Sequence, residues 1–426
     1  MENFIQQSSI DAVTCPACGL LCDDISISAD SAGKLKVTSN SCAKSISFFE
    51  RPVKAVSPRV GGKDTDLESA IAKASEILSK SKHPLIGGLG TDVQGMRAVM
   101  NLAEKSGATI DHMNSKSSMR NLLVLQNSGW QVTTLTEVRN RVDLLLVVGT
   151  DIVSYFPRFF DRVIWNQASM FGQDTSTREV VYLGGQNLNT KPGTSPKGIE
   201  PTVLPCDKAQ LPEVIAVLRA LIAGKTLVAS SVGGIAVTDL AKLAERLKAA
   251  KYSVVAWTGS ALDYPQAELT IQNVTGLVEK LNQTTRSSGL PLGGNEGDVG
   301  AYNTSTWISG YPFRSSYRQG FPDYEPYLYS TDRMLAEQEA DTFFWINSYA
   351  PDRLAPAHQA ASVVIGHADM KLDHEPEVFI PVATPGIDCK GTQFRSDSSV
   401  SLPLKQLRSN TLPTLTQVLS AIEATL

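Results

Sequence analysis

Asp143-Leu144-Leu145-Leu146-Val147-Val148-Gly149 reads as a short strand that is apolar on both faces. Such a strand has no side to offer water, so it belongs inside a parallel sheet covered by helices. Upstream the same grammar recurs in Leu85-Ile86-Gly87-Gly88-Leu89-Gly90, a buried strand ending in glycines, and in Ala108-Thr109-Ile110-Asp111. Between these two lies a helix from about Val93 to Lys105, stopped by Gly107. Further upstream, Thr65 and Glu68 have capping-box spacing, and Leu67, Ala70, Ile71, Ala74 and Leu78 share one helical face.

Downstream, Glu179-Val180-Val181-Tyr182-Leu183-Gly184 is another strand. Helices near 210–223 and 238–250 flank Ser253-Val254-Val255-Ala256-Trp257, and strand-like runs return at Thr342–Ile346, Ser362–Ile365 and Val378–Val382. Strands alternating with helices and ending in glycine predict stacked doubly wound α/β domains, with no internal repeat. Residues 286–330 break the pattern. They are rich in Gly, Pro, Tyr, Asn and Arg and weakly periodic, which marks a functional or interface segment.

At 426 residues, two to four domains are expected. The division read from the pattern is a Cys-rich metal-binding domain over 1–50 and a discontinuous first α/β domain over 51–130 and 331–395. A second α/β domain covers 131–285, the Gly/aromatic interface loop region 286–330, and a C-terminal tail and helix 396–426. Within residues 1–50, Asp24–Ser28 alternates like a half-buried strand, and Leu35–Val37 pairs with it across a turn at Ser31–Gly33. That segment has too little apolar surface for a core of its own.

The net charge of −4 and the lack of a basic stripe exclude nucleic acid as an expected partner. The N-terminus has neither the basic nor the apolar region of a signal peptide, and no apolar run approaches the ~20 residues of a membrane helix. A soluble, cytoplasmic protein is therefore expected, without membrane contact. Six cysteines in such a setting favour metal binding or free thiols over disulfides.

Four of the six, Cys15, Cys18, Cys22 and Cys42, follow the spacing C-x2-C-x3-C-x19-C. Four thiolates suit either a tetrahedral zinc or a [4Fe–4S] cube. Zinc sites more often pair two C-x2-C knuckles, so the x3 gap and the distant fourth cysteine favour the cluster. Lys44, two residues after the last cysteine, is placed to carry charge between a cluster and a neighbouring cofactor. Cys206 and Cys389 stand alone.

His112 is a candidate to touch a ligand, and Arg314 and Arg318, in an aromatic setting of Tyr311, Phe313, Tyr317 and Phe321, are candidates to bind an anionic carrier or hold a partner subunit. Gly87-Gly88-Leu89-Gly90 lacks the spacing and lysine of a phosphate loop and is expected instead to let a turn approach another backbone. No G-x-S-x-G, H-E-x-x-H or Ser/His/Asp order supports a self-sufficient hydrolase.

The cysteine spacing followed by α/β domains of this length resembles the molybdopterin- and tungstopterin-dependent oxidoreductases. Trp307–Phe313, Arg318–Pro322 and Gly386–Arg395 narrow this to a resemblance to the B subunit of formylmethanofuran dehydrogenase, over essentially the whole chain. The Gly88–Thr91 turn and the strand ending at Asp111 sit where that family has them. The resemblance implies a molybdopterin-oxidoreductase-like fold with one [4Fe–4S] cluster and a metal–pterin. In that family a cysteine or selenocysteine followed by histidine ligates the metal. Here the matching positions are Ser117 and Ser118, so thiolate ligand and acid/base group are missing together, and the redox site is degenerate.

This pattern fits the related bacterial formyltransferase/hydrolase complex of methylotrophs. That complex moves a formyl group from tetrahydromethanopterin to a methanofuran-like carrier and hydrolyses it to formate. The implied reading is a non-catalytic B subunit in one-carbon (formaldehyde oxidation) metabolism, with hydrolase, C-type and formyltransferase subunits as partners. It has no catalytic residues of its own and no molybdopterin or tungstopterin. Cys15, Cys18, Cys22 and Cys42 hold an iron–sulfur cluster or a structural zinc, and Lys44, His112 and Arg318 are the cofactor-binding candidates. The alternatives are an active B subunit of formylmethanofuran dehydrogenase with serine ligation, and a carrier-binding module.

Overall fold

The computed structural model describes residues 8–52, 54–185 and 187–426, and no helix among them is long and apolar enough to cross a membrane. The chain divides into two compact units, one made of Met1–Ser115 with Gly294–Leu426, the other of Lys116–Gly293.

The Lys116–Gly293 unit is built on a five-stranded, all-parallel sheet. Its order is Thr202–Leu204, Glu179–Leu183, Leu144–Val148, Ser253–Thr258, Ser287–Leu292. Leu144–Val148 lies at the centre and is buried at every residue, as its two apolar faces require. Leu146 pairs with Val181 on one side and Val255 on the other. The chain steps outward from this strand in one direction and then returns to build the other side, leaving a topological switch point beside it. The helices Leu211–Ile222, Val237–Ala249 and Ala267–Leu281 bury their apolar faces in a core that includes the fully buried Trp257.

The other unit has a nine-stranded sheet whose five central strands are parallel. Their order is Thr109–Ile110, Pro84–Gly90, Thr342–Asn347, Ala361–His367, Val378–Val382. Short antiparallel strands extend both edges: Ser315–Ser316 and Asp323–Tyr324 on one, Arg59–Val60 and Lys63–Asp64 on the other. Here the switch point lies between Pro84–Gly90 and Thr342–Asn347. Gly88 adopts φ +79°, and a Cβ there would lie 2.5 Å from the Ile346 carbonyl oxygen. The glycine-rich end of this strand therefore serves close backbone approach.

The N-terminal strands Ser8–Val13, Ile25–Ala29 and Leu35–Ser39 form an antiparallel sheet. The Asp30 carboxylate accepts from the backbone N–H of Ala32 and Lys34 and shapes the expected turn. This sheet leans on the rest of its unit. Ser396 N–H donates to Gly19 O at 2.8 Å, and Lys405 Nζ donates to Asp11 O at 2.8 Å.

Several boundaries differ from those expected. The helix Ser115–Ser128 carries residues beyond Ser115 into the second unit, where Arg120 donates to Gly259 O and Asn121 accepts from Trp257 Nε1. Residues 286–330 are not one loop. Ser287–Leu292 is an edge strand, and Asp298–Ser309 is a helix whose buried face is mostly small residues, which left little periodic signal. The final segment is no tail, because Ser401–Leu404 pairs with Gly391–Phe394 and the helix Leu415–Glu423 packs Leu415, Val418, Leu419 and Ile422 into the core. The helix Leu67–Lys80 is capped by Asp66, which accepts from Ser69 N–H at 2.7 Å, rather than by Thr65.

Candidate functional site

Cys15, Cys18 and Cys22 sit in the connection between the first two strands, held by Cys15 N–H donating to Cys22 O at 2.8 Å and Leu21 N–H to Cys18 O at 3.2 Å. Leu21 takes a left-handed φ of +46°, which tightens the turn. Cys42 is the N-cap of the helix Ala43–Phe49. Its Sγ accepts from Ser45 N–H at 3.4 Å, and Ser45 Oγ accepts from Cys42 N–H at 2.8 Å.

Burial pushes the Cys15 thiol well up, and Cys18, Cys22 and Cys42 push it further. Burial also raises Cys18, which feels Lys44 as an opposing charge and Cys42 as a like one. Among the described residues, no group of three or more His, Cys, Asp or Glu has the closed geometry of a metal site. The donor chemistry suits a four-thiolate centre, with Cys15, Cys18 and Cys22 buried and Cys42 half-buried.

Lys44 Nζ donates to Asn295 Oδ1 at 3.4 Å and lines a cavity of about 310 Å³ with Pro16, Arg51, Glu296 and Tyr349. The loop that carries Asn295 and Glu296 is sharply turned, with φ of +95° at Gly294, +50° at Glu296 and +79° at Gly297. A Cβ on Gly294 would meet Gly19 Cα at 2.7 Å, and one on Gly297 would meet Thr91 O at 2.3 Å. The loop thus wedges between the cysteine segment and the turn after Pro84–Gly90. Asn114 Nδ2 donates to Asn295 O at 3.1 Å and to Glu296 Oε2 at 2.8 Å, tying the same loop to the end of the Thr109–Ile110 strand.

Beyond that strand, Asp111 is buried. It accepts from Thr331 N–H at 2.8 Å and from His112 N–H at 3.0 Å. Burial pushes its carboxyl up, opposed mainly by Arg314. His112 is buried and stacked on Phe313, with ring centroids 5.0 Å apart. Its Nδ1 accepts from Asn114 N–H at 3.0 Å, which fixes the proton on Nε2. Nε2 makes no hydrogen bond of normal geometry among the described residues. Burial lowers the imidazole to about 3, against a smaller opposing pull from the Glu296 backbone. His112 is therefore a neutral ring at physiological pH.

Ser117 and Ser118 lie half-buried in the first turn of Ser115–Ser128 and fall within the second unit, where a Cβ on Gly259 would lie 2.6 Å from Ser117 O. Arg314 and Arg318 part company. Arg314 N–H donates to Ile110 O; its side chain reaches Asp111, and its Nη2 donates to Ser115 Oγ at 3.2 Å. Arg318 is set at the opposite end of the Thr109–Ile110 strand, where Tyr317 N–H donates to Ala108 O, and its Nη1 contacts His83 Nδ1 at 3.2 Å. Of the sequence candidates, Lys44 acts on Cys18 and touches the Asn295–Glu296 loop, and His112 faces the same loop. Asn114, Asn295 and Glu296 were missed by sequence reasoning. For Asn295 and Glu296 the cue was the glycine frame of Gly293-Gly294-Asn295-Glu296-Gly297, in which Asn114 has no part.

No family model matches the chain. The B subunit of the tungsten-containing formylmethanofuran dehydrogenase 2 of Methanocaldococcus jannaschii is 26% identical over 402 residues, covering 90% of this chain and 91% of that protein. Its counterpart from Methanococcus maripaludis is 26% identical over 406 residues, with the same coverage. The B subunit of the formyltransferase/hydrolase complex Fhc of Methylorubrum extorquens is 27% identical over 343 residues, covering 80% and 89%. Among solved structures, a chain of the X-ray crystal structure of the formyltransferase/hydrolase complex (FhcABCD) from Methylorubrum extorquens with methylofuran aligns with a TM-score of 0.69 at 24% identity, covering 86% of this chain and 98% of that chain. That likeness confirms a mixed α/β fold with several sheets. The resemblance read from the sequence is borne out: the homologues of this chain are the B subunits of formylmethanofuran dehydrogenase and of the formyltransferase/hydrolase complex.

Proposed function

We propose that this chain is a non-catalytic B subunit of a formyltransferase/hydrolase complex in one-carbon metabolism. Its partners would be the hydrolase, C-type and formyltransferase subunits, in a cytoplasmic assembly that handles formyl groups on a methanofuran-like carrier. The similarity to the Fhc homologue supports the role in a complex. The non-catalytic reading rests on the pair Ser117 and Ser118, which the resemblance aligns with the soft ligand and titratable neighbour of the metal–pterin relatives. His112, neutral and stacked on Phe313, does not replace the missing acid/base group.

The fold proposed with this reading is molybdopterin-oxidoreductase-like, retained as a scaffold. Cys15, Cys18, Cys22 and Cys42 would hold a [4Fe–4S] cluster or a zinc that staples the N-terminal sheet, with Lys44 beside it. A bound centre would supply the positive charge that lets these buried thiols ionise. The test is to isolate the chain with its native partners and measure molybdenum, tungsten, iron and zinc per chain. Stoichiometric molybdenum or tungsten would overturn the proposal. Iron or zinc without either, together with co-purifying formyltransferase and hydrolase subunits, is the expected result.

A further inference from the structure

Gly276 stands in the middle of the helix Ala267–Leu281, where a glycine is destabilising relative to alanine. Its backbone is ordinary helix, so no turn requires it. What fills the space beside it is Arg219 on the neighbouring helix Leu211–Ile222. A Cβ on Gly276 would lie 2.8 Å from Arg219 Cζ, 2.9 Å from Nη1 and 3.1 Å from Nε. The missing side chain is a seat for the guanidinium.

That guanidinium faces a concavity of about 340 Å³, within the size range of small-ligand sites. Its other walls include Trp130, Gln131, Gln272 and Glu279. Among the described residues, neither the half-buried Arg219 guanidinium nor the exposed Glu279 carboxylate makes a hydrogen bond or ion pair. Two opposite charges thus line one small pocket without meeting each other. Trp130 offers a half-buried indole, steadied by an edge contact with Trp257 at 6.2 Å.

We propose that this pocket binds a small zwitterion of the α-amino-acid class. Its carboxylate would bridge to Arg219, its ammonium would face Glu279, and its apolar body would lie on Trp130. A planar guanidinium pairs with carboxylate through two parallel hydrogen bonds, whereas an ammonium alone needs only an acceptor point charge. A simple anion would leave Glu279 opposed to it, and a simple cation would leave Arg219 so. The zwitterion satisfies both walls. The site lies wholly within the Lys116–Gly293 unit and does not depend on the role proposed above.

The experiment is ligand-observed saturation-transfer NMR on the full chain with L-phenylalanine, beside 3-phenylpropionate, which lacks the ammonium, and phenethylamine, which lacks the carboxylate. L-Phenylalanine is expected to saturate in the millimolar range, with each one-ended analogue about tenfold weaker. Arg219→Gln should reduce L-phenylalanine to the level of phenethylamine, and Glu279→Gln to that of 3-phenylpropionate. Gly276→Ala supplies the control for folding: it should lose the ligand while the thermal midpoint holds or rises, because it improves helix propensity while unseating the guanidinium. Absence of saturation by L-phenylalanine, or unchanged binding in folded Arg219→Gln, would overturn the proposal.

Discussion

Arg314 Nε stands 3.6 Å from Asp111 Oδ1, an ion pair in which the aspartate side chain is 2% exposed and the arginine side chain 11%. The sequence reading weighed Arg314 and Arg318 together and carried only Arg318 forward as a cofactor-binding candidate. The pair singles out Arg314, because it is the cation that offsets the charge of a buried carboxylate immediately before His112.

Replacing Arg314 by Gln should therefore cost about 3–5 kcal/mol, since it leaves a buried carboxylate uncompensated. The effect should depend on pH in a defined sense. Asp111 has its folded value raised by burial, so its ionised form is the costly one. Its contribution is most favourable below the unfolded value of 3.8 and is lost as pH rises through the folded value. The deficit of Arg314→Gln against the parent should thus shrink as the pH is lowered into the acid range, measured by urea unfolding at several pH values.

His112 gives the opposite slope. Its folded value is about 3 against an ordinary 6.5, so burial favours the neutral ring. Stability from this group is fully present above about 6.5 and falls by about 1.4 kcal/mol per pH unit below it. His112→Phe retains a ring beside Phe313 and removes the titration. The stability gap between parent and variant should move by about 2 kcal/mol between about pH 7 and pH 5, in the direction that favours the variant at the lower pH. An unchanged gap would show that His112 is hydrated and titrates normally.

Cys18→Ser tests the four-cysteine centre. If the thiols hold metal, the variant should lose iron or zinc by elemental analysis, and its thermal midpoint should fall by several degrees. A parent protein without bound metal, and a variant of equal stability, would mean that the four thiols serve only as small buried apolar groups.

Gly297→Ala probes the loop that joins these features. With φ at +79° and Thr91 O only 2.3 Å from the new Cβ, the loop cannot keep its path. A loss of more than about 1 kcal/mol is expected, as for alanine placed in a left-handed position. Gly198, at φ +80° with open space around its Cβ, should be milder under the same change, which separates the clash from the dihedral strain.

The strands were legible in the sequence because burial on both faces writes itself locally. Leu144–Val148, Glu179–Leu183, Ser253–Thr258, Thr342–Asn347 and Val378–Val382 all fall within a residue of where their apolar runs place them. The glycine framing of Leu85–Gly90 likewise foretold a close backbone approach, here to Ile346. Less local facts were not written there. That Arg314 reaches Asp111 while Arg318 reaches His83 follows from which end of the Thr109–Ile110 strand each is laid against, and that is set by the antiparallel pairing of Ser315–Ser316 with it. The chain passes into its second unit at Lys116 because Arg120 and Asn121 find partners at Gly259 and Trp257, residues remote in sequence. Periodicity reports whether a side chain is buried; only the packed structure decides against what, because that choice rests on pairings between segments that share no local signal.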